Sequence, residues 1–320
     1  MKKILCVGSV TTDIIVTPAD QVPTPGTMNG VSGVAAHVGG CAANAAIDLA
    51  RLGAPVSLAC KVGRDPFGTF VAETAQAAGV DTGGIVRDGS VGTTVSVVCV
   101  HSDGERSMFY YPGSTSGFTV DDIGKTAFSE SGVVFVAGAL LLTAFDGAPC
   151  AAFLRRAREK GKYTVMDTAW DTENIWLPKI RESLRYLDLF MPSYQEAAKL
   201  SGKTELSDIA DAFFALGVRN VVVKLGGRGA YVCEASGERY LLPTYNEVKP
   251  VDTTGAGDSF CAGFLCGVAQ GWSFRRCGQF ANAVGTHCVM EIGASTGIRS
   301  MEEILQFMKE HPLQIGKGEI

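Results

Sequence analysis

Neither sign of charge dominates this chain: 28 Lys and Arg stand against 33 Asp and Glu over 320 residues, a net charge of −5. A dedicated nucleic-acid binder carries a basic footprint, and none is present. Long apolar runs are also missing. The longest, Val133 to Phe145 (VVFVAGALLLTAF), falls short of the ~20 residues a membrane span requires. The opening MKKILCVGSVTTD starts like a secretory leader, but its apolar stretch stops at Gly8 and Asp13 follows, so it reads as a first β-strand. The ten cysteines are scattered and form no CxxC pair, which argues against a disulfide framework and fits reduced thiols in a cytoplasmic protein. Four histidines (His37, His101, His287, His311) lack metal-ligand spacing, which argues against a zinc site.

Several catalytic signatures fail as well. Gly124-Lys125-Thr126 and Gly202-Lys203-Thr204 carry the tail of a Walker A loop, but Thr119 and Ala197 stand where its first glycine belongs. The dinucleotide pattern GxGxxG fails after the first strand, where Ser9 and Val10 follow Gly8, and at 255–260, where Phe260 replaces its last glycine. A nicotinamide oxidoreductase therefore falls away. No GxSxG elbow offers an acyl-transfer serine.

What the sequence has in excess is glycine, 39 residues of 320 against an average near ~7%. Strand-like runs at Ile4–Gly8, Val56–Val62, Val133–Ala137, Tyr163–Asp167, Leu187–Met191 and Val221–Leu225 alternate with helical patterns. These patterns cover Cys41–Leu52, Phe67–Ala78, Ala148–Lys160, Tyr194–Leu200 and Ile209–Leu216, and Gly53, Gly79, Gly161, Gly202 and Gly217 follow them as C-caps. Two further helical patterns, Asp258–Gln270 and Phe274–Met290, close the chain. The alternation predicts an α/β fold: a doubly wound, mainly parallel sheet with helices on both faces. Residues 9–34 and 91–111 break the rhythm with short β-type runs, the second a hairpin turning at Ser102-Asp103-Gly104. They are expected to form a small β-sheet lid inserted into a single domain spanning 1–320.

Three glycine clusters could hold a ligand. In VDTTGAGDSFCAG (251–263), the small residues Gly255, Ala256 and Gly257 leave amides open at a helix start, an anion-ready arrangement. Asp258 beside them reads either as a helix cap or as a base for phosphoryl transfer. In VGGCAAN (38–44), Gly39 and Gly40 permit close approach and Asn44 offers donors and acceptors to a hydroxyl-rich molecule, unless it is a buried asparagine at a plain helix start. Lys224 through Gly229 (KLGGRG) lies against a nucleotide or forms a hairpin turn.

With these residues in view, the chain resembles the ribokinase-like (PfkB-type) carbohydrate kinase family over nearly its whole length. The likeness rests on VGGCAANAAIDLARLG at 38–53 and VDTTGAGDSFCAGF at 251–264, with support from GSVTTD, KVGRDPFG, VVVKLGGRGA and EIGAS. It implies ATP-dependent phosphorylation of a hydroxyl, making the protein a phosphotransferase with an alcohol acceptor. By the same resemblance Asp258 matches the general base, and Gly255, Ala256 and Gly257 the anion hole. Asp13, Gly39, Gly40 and Asn44 match positions that hold sugar hydroxyls. Lys224, Gly226, Gly227 and Gly229 fall where ATP is cradled, and Asn282 where adenine is bordered. Glu196 and Ser193 match the Asn-x-x-Glu stretch near the phosphates and Mg2+, with Ser in place of Asn. Asp252, Thr254, Glu291 and Gly293 match a loop for a monovalent cation, K+, although Gly297 stands where ribokinase-type members carry a cation-binding hydroxyl.

The acceptor is less defined. Ribokinase-type chains place a carboxylate after the strand at 133–137, where this one has Ala139-Leu140-Leu141-Leu142. Arg106 on the lid suits an acidic or phosphorylated sugar by bidentate pairing. Tyr110, Tyr111, Asp167, Trp170 and Asp171 are either substrate contacts or packing residues. Two alternatives stay open: a nucleoside kinase of the same fold, and a non-catalytic sugar-binding regulator. The resemblance also implies a homodimer formed through the lid.

Overall fold

Why the sheet forms where it does is visible in the first strand. In Ile4–Gly8 (β1) every residue is buried, as expected for a strand covered on both faces. Ile4 and Cys6 enter one core and Leu5 and Val7 the other. Each such fully buried aliphatic side chain contributes about 1.5–3 kcal/mol. The computed structural model describes residues 1–103 and 105–313, and of Arg106 only the backbone.

The remaining strands are β2 (Thr11–Thr17), β3 (Gly33–Gly39), β4 (Val56–Gly63), β5 (Asp81–Asp88), β6 (Val95–Val100), β7 (Arg106–Tyr111), β8 (Val133–Ala139), β9 (Tyr163–Thr168), β10 (Leu189–Phe190), β11 (Val221–Lys224), β12 (Ala230–Cys233) and β13 (Arg239–Leu242). Nine of them form one sheet in the order β13-β12-β11-β10-β9-β8-β1-β4-β5. It is parallel from β11 to β5, and β12 and β13 add an antiparallel edge. The helices Cys41–Arg51, Ala256–Gln270 and Phe274–Val289 share the core on one face. Those at Ala148–Glu159, Leu177–Leu184 and Leu206–Ala215 cover the other. The expected fold class is the observed one. Among the described residues no helix is long and apolar enough to cross a membrane.

Strand order reverses at β1. The chain leaves it toward β4 and β5 on one side and later continues through β8 and β9 on the other. Ligands of such sheets bind in the crevice beyond the carboxyl ends of the strands at this reversal. Here that crevice lies above β1 and β8.

A second sheet, ordered β3-β2-β6-β7, covers the same end of the molecule. Its register aligns His37, Asp13, Ser96 and Tyr110 in one transverse row. Residues paired across strands share a face, so all four look the same way. The strand expected within 9–34 runs on to Gly39, so the second glycine motif starts inside the lid. The hairpin is present as β6 and β7, while Gly104 of its expected turn lies outside the described residues. The helix Leu177–Leu184, the helix Met301–Glu310 and the edge strand β5 were not expected from the sequence.

Candidate active site

Two glycine-led helix starts meet in the crevice. The helix Cys41–Arg51 follows Gly40, whose φ is 88° and where an added Cβ would stand 2.5 Å from Val10 Cα. The helix Ala256–Gln270 follows Gly255, with φ 77° and room for no Cβ, which would meet Ala294 Cα at 2.6 Å. Only glycine takes both conformations without strain. The helices cross with their motifs in register: Asn44 Nδ2 donates to Asp258 Oδ2 at 2.8 Å, and Ser259 Oγ donates to Asp48 Oδ2 at 2.6 Å.

Asp258 is half-buried in the first turn of its helix. Burial pushes its carboxyl above the ordinary carboxylate range, while the Asn44 bond and the Lys224 charge hold it down. Asn44 is buried, and its Oδ1 has no hydrogen-bond partner. An unsatisfied buried acceptor costs about 1–3 kcal/mol, which an incoming hydroxyl recovers. Beside Asp258, the Gly255 and Gly257 amides reach no acceptor among the described residues, and Ala256 N makes only a long turn bond to Thr253 O, 3.3 Å. A helix N-terminus with open amides favours an anion.

Lys224 ends β11, and its Nζ lies 2.6 Å from Asp167 Oδ2 at the end of β9. A Cβ added to Gly257 would be 3.4 Å from that ammonium, so Lys224 reaches the open amides. Burial opposes its charge, yet Asp167, Cys261 and Glu196 around it hold the ammonium well above the usual lysine range. Burial pushes the Asp167 carboxyl up to about 7, against the pull of Lys224. On the same side Glu196 Oε2 accepts from Ser193 N at 2.9 Å and from Thr168 Oγ1 at 3.1 Å. Ser193 and Glu196 thus form a capping box for the helix Tyr194–Ser201.

The lid closes over this group. An added Cβ on Gly39 would collide with the Asp13 carboxylate, which therefore packs on the glycine pair. Burial raises the Asp13 carboxyl, Ser96 and His37 counter it, and the charge of Asp258 adds to it. The Tyr110 hydroxyl is raised by burial and by Cys41 and Asp13 nearby. The Arg106 side chain lies outside the described residues.

The other expected positions fall around the same centre. Gly226–Arg228 make a 3-10 turn that closes β11 and β12 into a hairpin. An added Cβ on Gly229 would collide with Leu242 O, and one on Gly227 would meet Asn246 Oδ1 at 3.9 Å, ordinary contact. Asn282 is buried and donates to the Leu242 and Pro243 carbonyls at 3.2 and 2.9 Å. Asp252 Oδ1 accepts from Thr254 N and Oγ1, and its Oδ2 accepts from Gly293 N at 3.0 Å, fastening two segments behind the open amides. Glu291 pairs with Arg299, and an added Cβ on Gly297 would collide with His287 O.

Sequence reasoning left Asp167 undecided and passed over Cys41 and His37. Asp167 carries one legible signal, a carboxylate at the carboxyl end of a predicted parallel strand. His37 enters only through the lid register.

A family model described as pfkB family carbohydrate kinase matches residues 1–301. A bifunctional ribokinase/ribose-5-phosphate isomerase A from Fructilactobacillus sanfranciscensis is 28% identical over 329 residues, covering 100% of this chain and 58% of that protein. The chain thus spans little more than half of that relative's length. A ribokinase from Staphylococcus aureus is 26% identical over 317 residues, 95% of this chain and 99% of that one. Among solved structures, a Thermotoga maritima ribokinase superposes with a TM-score of 0.81 at 26% identity, covering 97% of this chain and 100% of that one. An Arabidopsis thaliana ribokinase complexed with ribose and ATP gives 0.85 at 24% identity, covering 96% and 99%. This last likeness is one of fold.

Proposed function

The chain belongs to the pfkB family of carbohydrate kinases, and from that premise we propose that it moves the γ-phosphoryl group of ATP to a hydroxyl of a small sugar or sugar derivative, with Asp258 as general base. The observation that carries this reading is the Asn44–Asp258 bond, which leaves Asn44 Oδ1 as an orphaned acceptor next to an aimed carboxylate. One hydroxyl of the acceptor donates to Asn44 Oδ1 and fixes the molecule, and the hydroxyl beside Asp258 gives its proton to that carboxylate as its oxygen attacks the γ-phosphorus. The bond to the bridging oxygen breaks and ADP leaves. The Gly255 and Gly257 amides meet the charge spread over the equatorial oxygens, with Lys224 beside them.

Asp13 and the lid row hold the acceptor's remaining hydroxyls and keep water out. Lys224 and the Gly226–Gly229 turn face the nucleotide. Glu196 with Ser193 are the residues that would hold Mg2+, which would supply positive charge against the phosphates. One carboxylate suffices where phosphates and waters supply the other ligands. A K+ ion behind the anion hole would rest on main-chain carbonyls of the segments holding Asp252, Thr254, Glu291 and Gly293, since Gly297 has no room for a side chain.

The lid also supplies a reason for a homodimer: β3 and β7 are open edges, and Val34, Met108 and Phe109 are more than half exposed. The direct experiment is ADP release with Mg-ATP across sugars and ribosides, with and without K+. Turnover of at least one acceptor is expected. Silence across the panel, with a sugar still bound, would leave a binding protein without chemistry.

A further inference from the structure

Left-handed backbone at non-glycine positions gathers, among the described residues, in two adjoining loops. Among the described residues the non-glycine residues with left-handed φ are Leu140 (83°), Asn174 (55°) and Trp176 (62°). They lie in the loops that leave β8 and β9, at the mouth of the crevice. Bulky residues hold such angles only where surrounding structure enforces them, and such sites cluster where ligands are gripped.

The enforcement is explicit. Asp171 is buried and accepts from the Ile175 and Trp176 amides, both at 2.6 Å, and from Lys179 Nζ at 2.8 Å. Lys179 Nζ also donates to Leu140 O at 3.1 Å, and Ala169 N donates to Ala139 O at 2.9 Å, so the two loops are locked together. What the clamp presents is Trp170. The residue is 54% exposed, and its ring is propped edge-on against buried Trp176, centroids 4.8 Å apart and planes at 86°. It stands two residues beyond Thr168, which touches Glu196, and three beyond Asp167, which holds Lys224. In the neighbouring loop Leu140 and Leu142 are buried, and the Asp146 carboxylate is engaged there by their amides at 3.0 and 3.1 Å.

We propose that Trp170 is a fixed stacking platform for a flat ring carried by the acceptor, so that the acceptor is a riboside-like molecule, a sugar bearing a planar heterocycle, rather than a free sugar. The proposal rests on the kinase reading for what happens to the acceptor, and on the platform alone for how it is bound. Stacking of a base on an aromatic side chain is sequence-tolerant and its loss weakens binding about tenfold to a hundredfold.

The test is calorimetric titration of the intact protein, its ATP site filled by a non-hydrolysable ATP analogue. Inosine, cytidine and adenosine are compared with ribose and fructose, for wild type, Trp170→Phe and Trp170→Ala. At least one nucleoside is expected to bind about tenfold more tightly than ribose. Trp170→Ala should remove that advantage and lower the melting temperature through loss of the Trp176 contact, and Trp170→Phe should keep the advantage within about threefold, with free-sugar binding unchanged in both. Nucleosides no tighter than ribose, or equal losses for nucleosides and free sugars in Trp170→Ala, overturn the proposal. ADP release separates the two readings. Nucleoside binding through Trp170 without turnover upholds the platform and removes the transfer step. Turnover of free sugars alone does the reverse.

Discussion

Asn44 Nδ2 and Asp258 Oδ2, contributed by helices 214 positions apart in sequence, meet at 2.8 Å. The bond does two things: it aims the carboxylate and it favours its charged form against burial. Asn44→Ala removes both effects. The active form of Asp258 is ionised, and its proton is held above the ordinary carboxylate range, so wild-type kcat/KM falls as pH drops through that raised value. In Asn44→Ala the acid limb moves to higher pH, and the rate near neutrality falls about tenfold to a hundredfold. A pH–rate profile of both proteins checks this. An unmoved limb would detach Asn44 from the titration.

The Asp167–Lys224 pair makes a different demand. Lys224 is nearly buried and Asp167 is its direct ion-pair partner, so removing Asp167 leaves the ammonium with only the more distant carboxylates Glu196 and Asp258. Asp167→Asn is expected to lower stability by about 3–5 kcal/mol. Lys224→Met should cut kcat by about 10²–10³ through loss of positive charge at the anion hole. The double variant should be more stable than Lys224→Met alone, because no buried carboxylate is left unpaired. Chemical denaturation of the four proteins measures this coupling, and strictly additive losses would contradict it.

Gly39 tests the lid contact. A methyl group there collides with the Asp13 carboxylate. Gly39→Ala is expected to raise the acceptor KM about tenfold or more by displacing Asp13, with ATP affinity unchanged. Steady-state kinetics with each substrate varied in turn decides it, and a matching rise in the KM for ATP would mean a general collapse of the site.

Much of this architecture is legible before any coordinates. The glycines expected to end helices, Gly53, Gly79, Gly161, Gly202 and Gly217, all adopt positive φ, the left-handed conformation that commonly stops a helix and that glycine takes without strain. The two motif helices begin where small residues give way to an apolar period, at Cys41 and Ala256. Edge and irregular elements were less legible. β5 reads DTGGIVRD, with glycines and charges, because an edge strand keeps one side open and needs no apolar run. The helix Leu177–Leu184 starts at Trp176 in a left-handed conformation that no propensity anticipates.

At the candidate site the local signals were strong and the long-range ones were silent. An anion-ready loop with a neighbouring aspartate is written in consecutive residues. The partner of Lys224 is not, since Asp167 lies 57 positions away on another strand. The row His37, Asp13, Ser96 and Tyr110 depends on strand register, which a one-residue slip would turn to the opposite face.

The most direct measurement is the kinetics of Asp258→Asn, a change that keeps shape and removes the base. The expected result is a fall in kcat of about 10²–10⁴ with ATP and acceptor dissociation constants within about tenfold of wild type. A variant that turned over at close to the wild-type rate would show that the proton leaves by another route.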